Sequence, residues 1–573
     1  MGDMNFNIKG EHENAFDAIV VGSGISGGFA AMELCKLGYK TVVLERGPMQ
    51  KHGDYPTASM DPWELPNQNL VTAEEIAKHY FKQNRLHWWV KEDHKHFIAK
   101  DDEYPYDEIE RFDWIRGHHV GGRSIMWGRH CYRWSDLDFE ANAKEGIAVD
   151  WPIRYKDIAP WYDYAETFVG VSGQAEGLHQ VPDGKFLPPF KLNCVEQHMR
   201  ESVRKKYPKR IITPGRIANL TSYDPEVHKG TRGQCQSRSM CVRGCPYGAY
   251  YSSLSASLPV AEATGNLTIV PDSIVAEIIY DKETNRATGV RVVNAVTGVE
   301  EEFTSRIIFC NASTVGTTAI LLNSRSETFP DGLGNGSGEV GHNMMDHHYG
   351  MGVSGTMPGF TDKYYKGRKP GGFYIPRFRN IDEESKRSDY LRGFGYQGQA
   401  SRGPNVVAGA VGTDLKEKIF EPGPYHVAMT CFGELLPYHE NRMFLNFDKK
   451  DKHGMPIITF DAKLRDNEHA LRKDGVRCAE EMLEAAGCTN IQSHNEATAP
   501  GAAIHEMGTA RMGRDPKTSV LNKWNQMHEV PNVFITDGSC MTSSATQNPS
   551  ITYMALTARA VDHAHKLVND GVL

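Results

Sequence analysis

Three things are scarce in this chain, and each scarcity narrows its role. No stretch approaches the roughly 20 apolar residues that a membrane-spanning helix needs, so a helical pump or channel is not expected. Positive charge is not in excess: 64 Lys and Arg stand against 72 Asp and Glu, a net charge of −8. That removes the electrostatic footprint of a nucleic-acid binder and favours a neutral small molecule, such as a sugar or alcohol, over a polyanion. Cysteine is sparse, eleven in 573 residues. Eight of the eleven are scattered, as buried free thiols are in a protein folded in a reducing compartment. The opening MGDMNFNIKGEHENAF has neither the charged-then-apolar pattern of a signal peptide nor a twin arginine, and Phe6 stands where a myristoylation signal wants Ser or Thr. The expectation is a chain that does not export itself. No internal repeat or low-complexity tract is evident. Hydrophobic residues at 40% and charged residues at 24% are ordinary for a soluble globular protein, and the length predicts two domains.

What is present begins at Asp17–Val21 (DAIVV), a short buried strand by pattern, followed at once by Gly22-Ser23-Gly24-Ile-Ser-Gly27. Ala30–Leu37 has helical composition, Gly38 stops it, and Lys40–Leu44 makes a second strand ending at Glu45. Gly22 permits the tight turn, Gly24 lets backbone approach a pyrophosphate, and Gly27 allows close helix–strand packing. Glu45 sits where a carboxylate accepts hydrogen bonds from ribose hydroxyls, which argues against a 2′-phosphate and leaves FAD or NAD. The far end chooses FAD. Val533–Thr536 is another expected strand, followed by Asp537-Gly538-Ser539, then Asn548-Pro549-Ser550-Ile551-Thr552 and an amphipathic helix from about Tyr553 to Val568. A second strand and glycine turn this far along suggests a chain that returns to close one nucleotide site from both termini.

A second redox signal lies between. Cys235, Cys241 and Cys245 form a C-x5-C-x3-C-P run in a Gly/Pro-containing loop. Thiolates so spaced can converge on one soft metal centre, and a cubane normally takes four, so three suggest a 3Fe-4S cluster. A disulfide with a spare thiol, a zinc site completed from elsewhere, or plain loop cysteines also fit this spacing.

These features together resemble the glucose-methanol-choline oxidoreductase family. The likeness covers most of the chain, through the N-terminal loop, Val120-Gly121-Gly122-Arg123-Ser124, Trp151-Pro152-Ile153 to Glu166, Ala287–Val290, Leu321–Ser324 and the C-terminal stretch, and is looser in the middle. It implies an α/β fold, α+β overall, with a Rossmann-like FAD-binding domain (14–170, 228–345 and 500–573) interleaved with a β-sheet substrate-binding domain (171–227 and 346–499). To the nucleotide set of Gly22, Ser23, Gly24, Gly27 and Glu45 it adds Arg46, Gly121, Gly122, Ser124, Val275, Asp537, Gly538, Asn548, Pro549 and Thr552. It places His505, in Ile504-His505-Glu506-Met507-Gly508-Thr509, and Asn548 at the reacting face of the flavin. An alcohol gives up hydride far more readily once its hydroxyl proton has gone. An imidazole can take that proton, and an amide can hold the oxygen without competing for it. His505 is therefore read as general base and Asn548 as its orienting partner. Where the pyranose oxidases of the family attach flavin through a His, Met126 stands here, so FAD is expected to be noncovalent. His118, His119 and His130 are read as supporting or surface residues, and His94-Lys95-His96 and Asp346-His347-His348 as solvated or core histidines rather than metal sites.

The cysteine spacing is similar to that of the glucose, gluconate and glucoside 3-dehydrogenase catalytic subunits of the family. The resemblance implies a sugar dehydrogenase that passes electrons through a 3Fe-4S cluster to an external acceptor such as cytochrome c. It also implies a small signal-bearing partner that carries the chain to the periplasm. The C3 hydroxyl of a pyranoside is the favoured target. An oxygen-using oxidase of the same fold, or a noncatalytic electron-transfer subunit, are the other readings. Between the motifs, residues from about Pro48 to Pro105, with Trp88-Trp89, read as an insert shielding the flavin, and Ser172–Pro189 as a connector. Alternating patterns from about Gly350 to Phe460, such as Met443–Phe447 and Ile457–Phe460, read as one large sheet lining the substrate site.

Overall fold

The computed structural model describes residues 14–86, 89–363, 371–405, 409–496 and 498–573. The start of the N-terminal segment read above for a leader, residues 1–13, and Trp88 lie outside the described residues. The first strand, β1 (Ala15–Val21), is buried over its last four residues, as an unbroken apolar run predicts for a strand covered on both faces. It pairs in parallel with β2 (Thr41–Leu44) on one side and with the long strand Glu300–Cys310 on the other. Leu267–Val270 extends the parallel set beyond β2, and Val533–Phe534 joins alongside Ile308 and Phe309. Ser273–Asp281 and Arg286–Asn294 add an antiparallel meander, making seven strands. The helix after β1, α1 (Ile25–Lys36), packs against the last helix of the chain, Ser550–Asn569. The chain therefore returns to its own beginning, and its two ends share one sheet and one helical layer.

A second sheet has six antiparallel strands in the order 489–495, 347–357, 422–434, 394–404, 373–375 and 213–214. In Pro422–Glu434 buried and exposed residues alternate, so Tyr425, Val427, Met429 and Cys431 turn one way. They pack on Leu471, Cys478, Met482 and Leu483 of the helix Asp466–Ala485. Gln397, on the strand 394–404 of this sheet, donates to Asn548 just before the last helix.

One expectation fails. Arg442–Lys450 and Pro456–Asp461 do not join the large sheet; they form a hairpin that takes Asp107–Glu108 as a third strand. Met443 and Phe460 from this hairpin pack with Tyr106, Phe112, Trp114 and Val315, on the nucleotide side of the molecule. Alternation marks a strand but does not name its partner, and the partner here, Asp107 opposite Thr459, is 352 residues upstream. Among the described residues no helix is long and apolar enough to cross a membrane.

Candidate active site

One cavity takes in the end of β1, the hairpin residues Leu445 and Ile457, and His505 and Asn548. Its walls include Gly22, Ser23, Gly24, Glu45, Arg46, Gly122, Ser124, Val275, Asp537, Asn548, Pro549 and His505, all named from sequence. Gly22 turns with φ +88°, and a Cβ there would lie 2.6 Å from the Asn311 carbonyl oxygen. A Cβ on Gly27 would sit 1.9 Å from the Gly22 carbonyl oxygen, so only glycine lets α1 approach the strand end. Gly27, Gly121, Gly538 and Thr552 are not in the wall itself but support it. Gly121 donates its N–H to Ser23 Oγ at 2.9 Å, a Cβ on Gly538 would meet the Glu506 carbonyl at 2.3 Å, and Thr552 pairs with the Tyr162 hydroxyl at 2.7 Å.

The walls suit a large polar ligand. The first turn of α1 has no side-chain cap, leaving its N–H groups for an anion. Arg46 Nε, His118 Nδ1, Asn311 Nδ2 and the Tyr553 hydroxyl are buried in the wall without a hydrogen-bond partner among the described residues. Unpaired buried polar groups are costly, and a bound dinucleotide would satisfy them. Glu45 is already engaged: one oxygen accepts from Ser23 N–H at 3.1 Å and Ser23 Oγ at 2.6 Å, the other from Gly47 N–H at 3.1 Å. Burial raises the affinity of Glu45 for a proton and those hydrogen bonds oppose it. The carboxylate thus braces the glycine loop as well as facing the cavity. Glu45→Ala removes an acceptor worth about 1.5–3 kcal/mol for each charge-assisted bond. The purified variant should carry well under one FAD per chain by absorbance, and full occupancy would count against this placement.

At the other end of the cavity His505 and Asn548 meet. Asn548 Nδ2 lies 3.1 Å from His505 Nε2, and Asn548 Oδ1 accepts from Gln397 Nε2 at 2.6 Å. His505 Nδ1 lies 2.8 Å from His347 Nδ1, and the other nitrogen of His347 meets the Ala545 carbonyl. The backbone just before His505 is strained: Ile504, β-branched, adopts φ +61°. Asp346 holds that loop in place by accepting N–H groups of Gly501 at 2.7 Å, Ala503 at 3.1 Å and His505 at 3.0 Å. Arg123 ties the neighbouring loop to the same segment through a two-pronged pair with Glu506, at 3.1 and 2.7 Å.

His505 is driven well below the ordinary imidazole pKa of 6.5, first by burial and then by His347, Arg123 and His130. A base works in its unprotonated form, so a lowered pKa moves loss of activity to lower pH. Flavin reduction at saturating substrate should hold its rate as pH falls through 6.5. Stopped-flow traces showing a half-fall near that pH would contradict this environment.

Sequence reasoning missed several of these residues. Gln397 carried no motif. His347 was seen only as part of a histidine cluster and read as core or solvated; it is buried, yet it touches His505. His118 and His130 line the cavity rather than standing behind it or on the surface. Arg123 and Glu506 lay inside quoted motifs, but their pairing across the chain had no local signal.

Cys235, Cys241 and Cys245 share one half-buried loop, and no disulfide joins any of the eleven cysteines. Burial raises the Cys235 thiol, with Cys241 and Cys245 adding to it, while the Ser237 N–H and the Asn219 amide oppose. Cys245 is raised by burial and by Cys241, and receives N–H groups from Ala249 and Tyr247. Among the described residues no three His, Cys, Asp or Glu side chains converge on one metal ion. Between loop and cavity stands Tyr250, whose hydroxyl donates to the Ile125 carbonyl and whose ring lies 5.1 Å from the Arg129 guanidinium. The insert after β2 closes the outside: Trp89 and Tyr104 line the cavity, and Asp93 accepts from Arg243 of the cysteine loop at 3.2 Å.

A paired-terminus nucleotide cavity with a buried imidazole and amide at its far end defines a flavin-dependent oxidoreductase. The chain belongs to the GMC oxidoreductase family, whose two sequence models match residues 16–349 and 437–557. It is 28% identical to 2-methyl-1,2-propanediol dehydrogenase of Mycolicibacterium austroafricanum, over 97% of this chain and 96% of that one. It is 26% identical to the fructose dehydrogenase large subunit of Gluconobacter japonicus, over 95% and 97%. In three dimensions it superposes on formate oxidase of Aspergillus oryzae RIB40 with a TM-score of 0.62, covering 98% of this chain and 100% of that one at 14% identity, which supports the fold. The protein is thus an FAD-dependent enzyme acting on CH–OH groups of alcohols or sugars.

Proposed function

We propose that the enzyme is a dehydrogenase that oxidises a ring secondary hydroxyl, the C3 hydroxyl of a pyranoside first among them, and delivers electrons to an external acceptor. The observation that carries the chemistry is the hydrogen-bond chain His347–His505–Asn548–Gln397 at the cavity end. His505 Nε2 would take the hydroxyl proton once the hydroxyl displaces the Asn548 N–H that points at that nitrogen, leaving the amide, its oxygen held by Gln397, to donate to the hydroxyl oxygen. FAD, held noncovalently beside Met126 by the glycine loop, Glu45, Arg46, Asp537 and Pro549, would supply the hydride acceptor. The loop Gly121–Arg129, resembling that of enzymes acting on ring hydroxyls, supports the sugar reading over a small diol.

Three cysteines in the C-x5-C-x3-C-P loop support a 3Fe-4S cluster there. Burial first, and Cys241 in addition, raise the thiols of both Cys235 and Cys245, and N–H groups of Ser237, Tyr247 and Ala249 face the loop sulfurs. Such a cluster would supply one-electron transfer to a cytochrome c partner, with a small signal-bearing subunit carrying the chain to the periplasm. Anaerobic mixing with a panel of pyranosides, fructose, gluconate and small diols tests the substrate. Bleaching of flavin absorbance by a glucoside, with the 3-keto product identified by NMR, is the expected result; bleaching by the diols alone would overturn it.

A further inference from the structure

We propose that His347 is the positioning residue that fixes the tautomer of His505, so that the bare Nε2 faces Asn548 and the cavity. The inference rests on the reading of His505 as proton acceptor. Its logic starts at a backbone atom. The Ala545 carbonyl can only accept, so the Nε2 of His347 lying against it carries the hydrogen. In a neutral ring that leaves His347 Nδ1 bare. Two bare nitrogens 2.8 Å apart would repel, so His505 Nδ1 carries a hydrogen and donates it. The lone pair of His505 is then on Nε2. The same answer comes independently from the other side. Gln397 donates to Asn548 Oδ1, which turns the Asn548 N–H2 group toward His505 Nε2, and a donor there requires a bare acceptor.

Both rings are held at their main chains as well. Asp346 accepts the backbone N–H of His347 at 2.8 Å and that of His505 at 3.0 Å, and the rings meet edge-on with centroids 4.8 Å apart. The charged and titratable groups facing the pair are Arg123 and His130 from the cavity loop, Glu506 beside His505, and Asp346 and His348 flanking His347, with Arg472 behind His348. Burial lowers His347 to about 4, which favours its neutral ring at neutral pH. When His505 gains the substrate proton, its Nδ1–H keeps an acceptor. His347 begins a strand of the antiparallel sheet, whereas His505 sits on a loop beside the nucleotide sheet. One layer therefore sets the protonation pattern of the base carried by the other.

His347→Leu removes the acceptor with little change in volume. His347→Gln restores both contacts, its Oε1 accepting from His505 and its Nε2 donating to Ala545. Flavin reduction should slow about 10-fold or more in the Leu variant, with KM, bound FAD and thermal midpoint near wild type, and recover most of its rate in the Gln variant. A readout without turnover uses ¹⁵N-histidine labelling, the His505 signals being those absent from His505→Ala. Wild-type His505 should show a protonated Nδ1 and a bare Nε2, and the Leu variant a mixture. Wild-type reduction in the Leu variant, or a proton on Nε2 in the wild type, overturns the proposal. A silent His347→Leu beside a crippled His505→Ala sinks the tautomer role alone, whereas a silent His505→Ala sinks the base assignment itself.

Discussion

His505→Ala should leave FAD bound while slowing flavin reduction by substrate about 100-fold or more, the scale of a positioned general base. FAD retention is expected because the glycine loop, Glu45 and Arg46 line the cavity without touching the His505 ring, and because the main-chain N–H that Asp346 holds is unchanged by the substitution. Rate is expected to collapse because His505 Nε2 is the imidazole nitrogen beside the Asn548 amide, at 3.1 Å, while His130, also in the wall, has its Nδ1 against the Tyr132 hydroxyl at 2.9 Å. His347 has its outer nitrogen committed to Ala545, and Arg123 is paired with Glu506. Asn548→Ala should also slow reduction, but its loss falls on substrate orientation and leaves the pH dependence in place. Anaerobic stopped-flow measurement of flavin bleaching over a range of substrate concentrations checks both. Reduction at near wild-type rate in His505→Ala would remove the base assignment, and loss of the pH dependence in Asn548→Ala alone would exchange the two roles.

Cys241→Ala should abolish iron–sulfur content and collapse electron delivery to cytochrome c while leaving single-turnover flavin bleaching intact. Cys241 opens a short turn, Cys241–Arg243, that does not depend on the thiol for its shape. Arg243 anchors that turn through Asp93 and the Met60 carbonyl, at 3.2 and 3.0 Å. The loop should therefore keep its fold with one ligand gone, and two thiolates cannot hold a 3Fe-4S core. Separation of the two half-reactions is expected because the cavity wall near His505 and the cysteine loop are different surfaces, with Tyr250 and the Ile125–Arg129 segment between them. Iron and labile sulfide assays, an oxidised-state electron paramagnetic signal, and steady-state rates with cytochrome and with a small dye read the result. Equal cytochrome rates in wild type and variant, or a wild type without iron, would leave an oxygen-using oxidase as the better account.

Much of the nucleotide end was legible because its constraints are local. A Cβ on Gly27 would meet the Gly22 carbonyl oxygen at 1.9 Å, Gly22 needs its φ of +88° at the turn, and β1, α1 and β2 follow in order with Glu45 at the end, whereas a Cβ on Gly24 would meet nothing within 4 Å. The return of the chain was legible too, since Val533 and the Asn548-Pro549 turn repeat a strand-then-turn pattern. Where reasoning failed, the decisive contact was distant. The hairpin 442–461 reads as strand in any context, but its placement depends on Asp107 and on the ring stack of Phe112 against Phe460, centroids 4.1 Å apart. His347 reads as a core histidine because its neighbours in sequence are Asp346 and His348; its meaning lies in His505, 158 residues on.

The sequence by itself determined that this chain carries a dinucleotide-type glycine loop with an acid after the second strand, which argues against a 2′-phosphate, and it marked His505 and Asn548 as candidates for the reacting end. Steric rules for glycine, strand periodicity and side-chain chemistry are properties of short segments and survive without coordinates. Only the tertiary structure decided that His505 lies between His347 and Asn548, what holds the strained Ile504 in place, and that Glu45 braces the loop it was expected merely to face. Those outcomes depend on directed contacts of about 3 Å between residues tens to hundreds of positions apart, and hydrogen bonds of that kind are specified by packing rather than by sequence neighbourhood.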